Sequence, residues 1–244
     1  MNRILLLLIV SIVTVSFTGM ANDFEKDVFN TSKGELAITF IGHGTLMMEF
    51  DGKVIHIDPV RQYADYSQMP KADLILITHV HVDHLDLAAI EAVKKENTEV
   101  IITKVCAQQY PKGKIMRNGD YINAHGLNIQ AVPAYNIVNK RDNGTPFHPK
   151  GEGNGYVIDF GGKKVYVAGD TENIPEMKSL QGIDIAFLPM NLPYTMTPEM
   201  VIDAAKTFMP KILYPYHFGN TNTHKLVELM KDEVAVEVRI RKLN

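Results

Sequence analysis

"ITHVHVDHLD", residues 77–86, places His79, His81, Asp83 and His84 within six positions. The chain has nine histidines and three of them fall here, a density that a solvated loop does not explain. The stretch grows out of "ADLILIT" (72–78), a continuous apolar run that reads as a strand covered on both faces. It closes on Asp86, a helix cap preceding apolar positions Leu87, Ile90 and Val93. Where a strand hands over to a helix, four polar side chains can point into one cavity. His and Asp offer nitrogen and oxygen donors suited to zinc, manganese or iron. His79 and His81, two apart, can approach one ion from the same side, while Asp83 and His84 serve a second. A structural zinc needs only four ligands and usually cysteine. The surplus of donors therefore predicts two divalent ions, zinc first among them, with room for water.

The rest of the chain bounds this reading. Its 244 residues suffice for one sizeable α/β domain, and 45% hydrophobic with 22% charged residues is ordinary globular composition without a visible repeat. A net charge of -3 with scattered Lys and Arg offers no field for nucleic acid, so the expected partner is a small-molecule substrate. Residues 1–21 read as a signal peptide. Arg3 precedes an uncharged run from Ile4 to Phe17, and Gly19-Met20-Ala21 forms a small-x-small cleavage site. That run is short for a membrane span of roughly twenty residues. Cleavage after Ala21 removes Arg3 alone among the charged residues, leaving 24 basic against 28 acidic and a mature net charge of -4. The expected domain is then 22–244, exported, with the periplasm as its expected residence and no stable membrane anchor after cleavage. Cys106 is the only cysteine, so no internal disulfide forms, and it reads as a small buried hydrophobe.

Strands are expected at 35–40, 46–50 and 53–58, with Asp51-Gly52 turning the second hairpin. Others are expected at 99–103, 127–132, 155–160, 164–168, 183–188, 212–216 and 234–239. Thr197-Pro198 starts one helix, and Thr223 caps another carrying Leu226, Leu229 and Met230. Residues 136–154, "NIVNKRDNGTPFHPKGEGN", form a long polar stretch that is either a functional loop or a disordered one.

Matching donors stand at other strand ends: Asp170 after "KVYVAGD" and His217 after "ILYPYH". The ordered set of Asp58 in "HIDP", His-x-His-x-Asp-His, a loop His, "AGDT" and a late His resembles the metallo-beta-lactamase superfamily. Within it, "GHGT", "HPKGEGNGY", "AGDTENIPEM", "PYTMTPE" and "PYHFG" look most like the branch containing ascorbate-6-phosphate lactonase and related metal-dependent hydrolases. The resemblance implies a four-layer αββα sandwich with its metal site in the cleft at one edge of two sheets. It implies that His79, His81 and a loop His hold one ion, that Asp83, His84 and His217 hold the other, and that Asp170 bridges them. The resemblance also implies that Asp58 steadies the His loop from behind the ligands, while His43 in "GHGT" stands beside them, faces substrate or is merely structural. In much of the superfamily the loop His directly follows the strand read here as "QAVPAY", where this chain has Asn136. His148, held between Pro146 and Pro149, is the favoured replacement, with Asn136 itself or His125 as alternatives. His56 and His224 read as structural or surface residues, and Tyr194 as a packed aromatic or a cleft wall.

Two such ions lower the pKa of a shared water towards ~7 and supply a hydroxide nucleophile at neutral pH. Asp83 or Asp170 then relays the proton to the leaving group. The expected enzyme hydrolyses a lactone, ester, thioester or phosphodiester. A carboxylate at 170, where beta-lactamases of this fold usually carry Cys or Ser, points away from a dedicated antibiotic hydrolase. Two alternatives stand beside it: a metal-binding exported protein without turnover, and an iron-dependent redox enzyme on the same ligands.

Overall fold

The computed structural model describes residues 24–233 and 235–243, so the expected signal peptide, 1–21, lies outside the described residues. Apolar residues two apart, such as Leu36, Ile38 and Phe40 or Leu46 and Met48, put one face of each strand into the core. The first sheet takes its strands in chain order: β1 (Lys26–Thr31), β2 (Gly34–Gly42), β3 (Thr45–Phe50), β4 (Lys53–Ile57), β5 (Leu74–Leu76), β6 (Glu99–Ile102) and β7 (Lys114–Ile115). The second does the same with β8 (Tyr121–Ala124), β9 (Leu127–Ala134), β10 (Gly153–Phe160), β11 (Lys163–Val167), β12 (Ile185–Pro189), β13 (Ile212–Tyr216) and β14 (Glu237–Val238). Each sheet opens with four antiparallel strands and continues with three parallel ones. The two halves thus share one topology.

Parallel neighbours need crossovers, and these carry the helices. Helix α1 (Leu87–Val93) buries Ala89, Ile90 and Val93 against Ile75, Ile77, Val100 and Ile102 of the first sheet. Helix α2 (Pro198–Phe208) buries Val201, Ala204, Ala205 and Phe208, and the Phe208 ring meets Tyr166 edge-on at 5.7 Å. Val165 and Val167, one position either side of Tyr166, point the other way into the core shared by the two sheets. Phe50 and Phe160 meet across that core at 5.4 Å, and Phe40 lies 5.1 Å from Tyr214. Helix α3 (Thr223–Met230) buries Leu226 and Met230 beside α2. The layers are helix, sheet, sheet, helix: the expected αββα sandwich. No helix among the described residues is long and apolar enough to cross a membrane.

Several boundaries differ from expectation for physical reasons. The apolar run 72–78 is a strand only over 74–76, because Thr78 turns aside to bond Asp58, donating its N–H at 2.7 Å. Asn222 rather than Thr223 caps α3, its side chain accepting from the His224 N–H. Leu87 and Leu229 are exposed rather than packed. The last strand shrinks to 237–238, with Val234 outside the described residues. The stretch 136–154 is an ordered loop as far as residue 152, closed by a bridge between Lys140 and Pro146, and residues 153–154 already belong to β10. Cys106 is buried beside the Thr103 hydroxyl, as expected.

His56 illustrates what burial costs a titratable group. It is wholly buried in β4, its Nε2 3.0 Å from the Pro70 carbonyl, while Nδ1 has no partner among the described residues. Burial pushes its pKa from 6.5 down to about 4. Between those values the unfolded chain takes up a proton that the folded chain refuses. Stability is therefore full above pH ~6.5 and declines as pH falls towards ~4, by up to about 3 kcal/mol from this residue. Denaturant midpoints of wild type and His56→Gln, followed from pH 7 to 4.5, should show a shallower acid slope in the variant. Parallel slopes would refute the assignment.

Candidate metal centre

Strands β4, β5, β11 and β13 end at one edge of the sandwich, and each delivers polar groups there as its apolar run stops. Asp58 follows β4, the loop 79–84 follows β5, Asp170 follows β11 and His217 follows β13. Asp58 and Asp170 thus both follow the fourth strand of their half. His43 comes from the β2–β3 turn and His148 from the β9–β10 loop. His43, Asp58 and His217 all adopt left-handed backbone, with φ of 54°, 44° and 47°. Non-glycine residues rarely do so, and such strain concentrates at functional sites. The His43 carbonyl accepts from the His217 N–H at 3.0 Å, which ties the two turns together.

The donors fall into overlapping sets. His79, His81 and His148 form one, His43, Asp83, His84 and His217 a second, and His79, His84 and Asp170 a third; within each, the donor atoms lie within 4.8 Å of one another. In the first set, His81 Nδ1 is 3.1 Å from both His79 Nε2 and His148 Nε2. In the second, Asp83 Oδ2 is 3.3 Å from His43 Nε2 and 3.6 Å from His217 Nε2. Asp170 joins them: its Oδ2 lies 3.2 Å from His148 Nε2 and 3.2 Å from His217 Nε2, and its Oδ1 3.5 Å from His84 Nε2. His125 is elsewhere, in the turn from β8 into β9, lining a cleft with Asp51 and Lys53 at the start of β4. That is the end of β4 away from Asp58, so His125 has no part in the cluster.

The electrostatics follow from packing histidines around buried carboxylates. Burial pushes the His79 and His81 imidazolium forms down, and neighbouring histidines add to this. Burial alone raises Asp170, but His217, His84 and the bond from His148 outweigh it and hold the carboxyl well below the usual range. Burial opposes charge on His84, yet Asp170, Asp58 and Asp83 push it up to about 9. Asp58 is itself raised by complete burial, against the pull of His84 and Thr78. Its Oδ2 is 2.7 Å from His84 Nδ1 and accepts from the Thr78 hydroxyl, so it fixes both the ring and the loop. Gly44 makes room for that ring: a Cβ there would sit 2.6 Å from His84 Cε1.

His84 Nε2, Asp170 Oδ1 and both ring nitrogens of His217 are buried without a hydrogen-bond partner among the described residues. Buried polar atoms are rarely left so. Orphaned nitrogens converging on orphaned carboxylate oxygen fit divalent cations, which would also displace the proton from His84.

Two residues carry a weight that the sequence did not show. Asn136 is not in any donor set; its Oδ1 faces His148 Nδ1 at 2.7 Å and accepts from the His148 N–H at 2.7 Å. Glu172, buried after Asp170, accepts from the N–H groups of Ile137, Val138 and Asn139 at 2.7, 2.8 and 2.7 Å and from the Asn136 amide at 3.2 Å. Three successive amides on one carboxylate anchor the loop that holds His148. An acid placed two residues beyond the strand-end donor Asp170 was the available signal. Tyr194 proves to be exposed and lines the cleft, as do Arg141, Phe147 and Asn191, in a space of about 470 Å³ beside the donors.

Residues 37–217 match the model of a beta-lactamase superfamily domain. A UPF0173 metal-dependent hydrolase of Natranaerobius thermophilus is 34% identical over 84% of this chain and 91% of its own length. One from Nanoarchaeum equitans is 32% identical over 75% and 84%. Among solved structures, a candidate metal-dependent hydrolase from Parabacteroides distasonis superposes with a TM-score of 0.87 at 52% identity, covering 91% of this chain and all of the other. Igni18, a metallo hydrolase from Ignicoccus hospitalis, gives 0.70 at 27% identity over 85% and 95%. The chain belongs to the metal-dependent hydrolases of the metallo-beta-lactamase superfamily.

Proposed function

We propose that the chain is an exported dinuclear hydrolase acting on a small molecule through a lactone, ester, thioester or phosphodiester bond. The observation that carries this reading is Asp170, whose Oδ2 is equidistant, at 3.2 Å, from a nitrogen of each flanking donor set. His79, His81 and His148 would hold one ion and Asp83, His84 and His217 the other, with Asp170 between the two sets and His43 beside the second. Two divalent ions held there, zinc favoured over manganese or iron, would supply a water of lowered pKa and polarise the electrophile. Asp83 and Asp170 both line the cleft, and Asp83 is the more accessible, its side chain 36% exposed against 3% for Asp170. With Oδ2 turned towards His43, His84 and His217, Asp83 would take a proton from water in the cleft and hand it to the leaving group. Asp58 and Asn136 keep the His84 and His148 rings from rotating, so the donors need no reorganisation during turnover.

Metal analysis combined with a screen across the four bond types tests this. Two ions per chain, with hydrolysis lost on chelation and restored by metal, is the expected result; metal retained without hydrolysis of any class would sink the hydrolase reading. Export rests on Arg3, the apolar run and Gly19-Met20-Ala21. The secreted form should begin at Asn22 by mass spectrometry, and an intact Met1 would contradict it. Export makes the periplasm its place of action, and the acidic balance of residues 22–244 supports a small-molecule substrate over nucleic acid.

A further inference from the structure

We propose that Arg141 is the anion-binding end of the cleft, so that the substrate carries a carboxylate or phosphate group separated by an apolar stretch from the bond that is cut. This rests on reading the cleft as the active site. Arg141 is exposed and lines the same cleft as Asp83, His148 and His217. Arg61, Arg239 and Arg241 are paired with Asp86, Glu237 and Asp27. Arg141, by contrast, has no carboxylate within 4.0 Å among the described residues.

Its position is nonetheless fixed. Backbone bonds of 2.8 Å from Arg141 N–H to the Thr145 carbonyl and from Gly144 N–H to the Arg141 carbonyl close a tight turn, and the Lys140–Pro146 bridge closes its base. The guanidinium carbon stands 5.0 Å from the Phe147 ring centroid, and Phe147 meets Tyr194 edge-on at 5.1 Å. A guanidinium held over a ring by cation–π attraction uses no hydrogen bond there, so its N–H donors stay available as a fork matched to carboxylate or phosphate. Phe147 directly precedes His148, so this aromatic wall runs from the cation to the first donor set. Val80 and Val82 add apolar lining. A cation at one end, metal donors at the other and apolar surface between them define a substrate with a charged group, an apolar middle and a hydrolysable bond.

Calorimetric titration of the metal-loaded protein tests this without turnover. The probes are α,ω-dicarboxylates from malonate to adipate, ω-phosphonocarboxylates of the same span, and monocarboxylates of matching length. One carboxylate engages the metal end in every case, so the second anion reports on Arg141. At one chain length or more, the doubly anionic probe should bind roughly five- to tenfold more tightly than its monocarboxylate, the range of a partly exposed charged hydrogen bond. Arg141→Gln should abolish that advantage, with its thermal midpoint and metal content unchanged. Arg117→Gln, an exposed arginine outside the cleft, should preserve it. Preference for phosphonate or for carboxylate identifies the group, and either supports the proposal. No advantage at any length, or one that survives in Arg141→Gln, overturns it. Failure of hydrolysis across the substrate screen would count against the hydrolase reading alone, because binding is measured separately.

Discussion

An Asp170→Ala variant is expected to retain at most one tightly held ion per chain and to lose turnover by roughly 10³-fold or more, the scale of removing a key electrostatic group from a closed site. The reason lies in geometry. Among the described residues, Asp170 is the only carboxylate with oxygens near both donor sets: 3.2 Å from His148, 3.2 Å from His217 and 3.5 Å from His84. Without it, two cations in adjacent sets would repel across a gap that no anion fills. The fold itself should tolerate the change, because the variant removes a buried charge and lowers the pull that holds His84 protonated in the metal-free chain. Asp170→Asn separates charge from volume: it keeps the shape and should lose the second ion all the same. Metal content and kcat, measured on both variants after reloading, decide the matter. Two ions and undiminished turnover in Asp170→Ala would show that another group joins the sets.

How much of this was legible in the sequence follows from where information sits along a chain. The donors at positions 79, 81, 83, 84, 170 and 217 were legible because each interrupts or ends an apolar run, and a polar ligand at a buried strand end stands out. Strand β1, "KDVFNT", was missed because its residues alternate between exposed and half-buried, leaving only Val28 and Phe29 as apolar signals. The shared topology of the two halves was invisible as a repeat, since strand order constrains alternation rather than residue identity. Asn136 was noticed for what it is not, a histidine, and its role depends on a loop folding back twelve residues to His148. Glu172 was passed over for the same reason: its partners at 136–139 lie 33 to 36 positions away. Candidate donors can be read from local pattern, whereas the residues that orient them are defined only by the closed fold.

Asn136→Ala should weaken binding of one ion by about 10- to 100-fold, the usual effect of deleting a partner that orients a ligand, and leave the ion of Asp83, His84 and His217 in place. Asn136 Oδ1 meets both the backbone N–H and Nδ1 of His148 at 2.7 Å. An amide oxygen only accepts, so Nδ1 carries a proton, and in the neutral ring Nε2, beside His81 and Asp170, is the nitrogen left to bind a cation. The amide cannot flip to offer nitrogen instead, because that nitrogen donates to the Tyr194 carbonyl at 2.9 Å and to Glu172 at 3.2 Å. Removing the side chain frees the ring to rotate and to exchange tautomers, and the ligand then loses orientation before it binds. If this is the whole effect, Asn136 has nothing to do once His148 is gone. His148→Ala should weaken the same ion, and Asn136→Ala added to it should change affinity little further. Metal competition titrations on the two single variants and the double variant complete the cycle. Additive losses would mean that Asn136 serves the site by another route, and unchanged affinity in His148→Ala would remove His148 from the ligand set altogether.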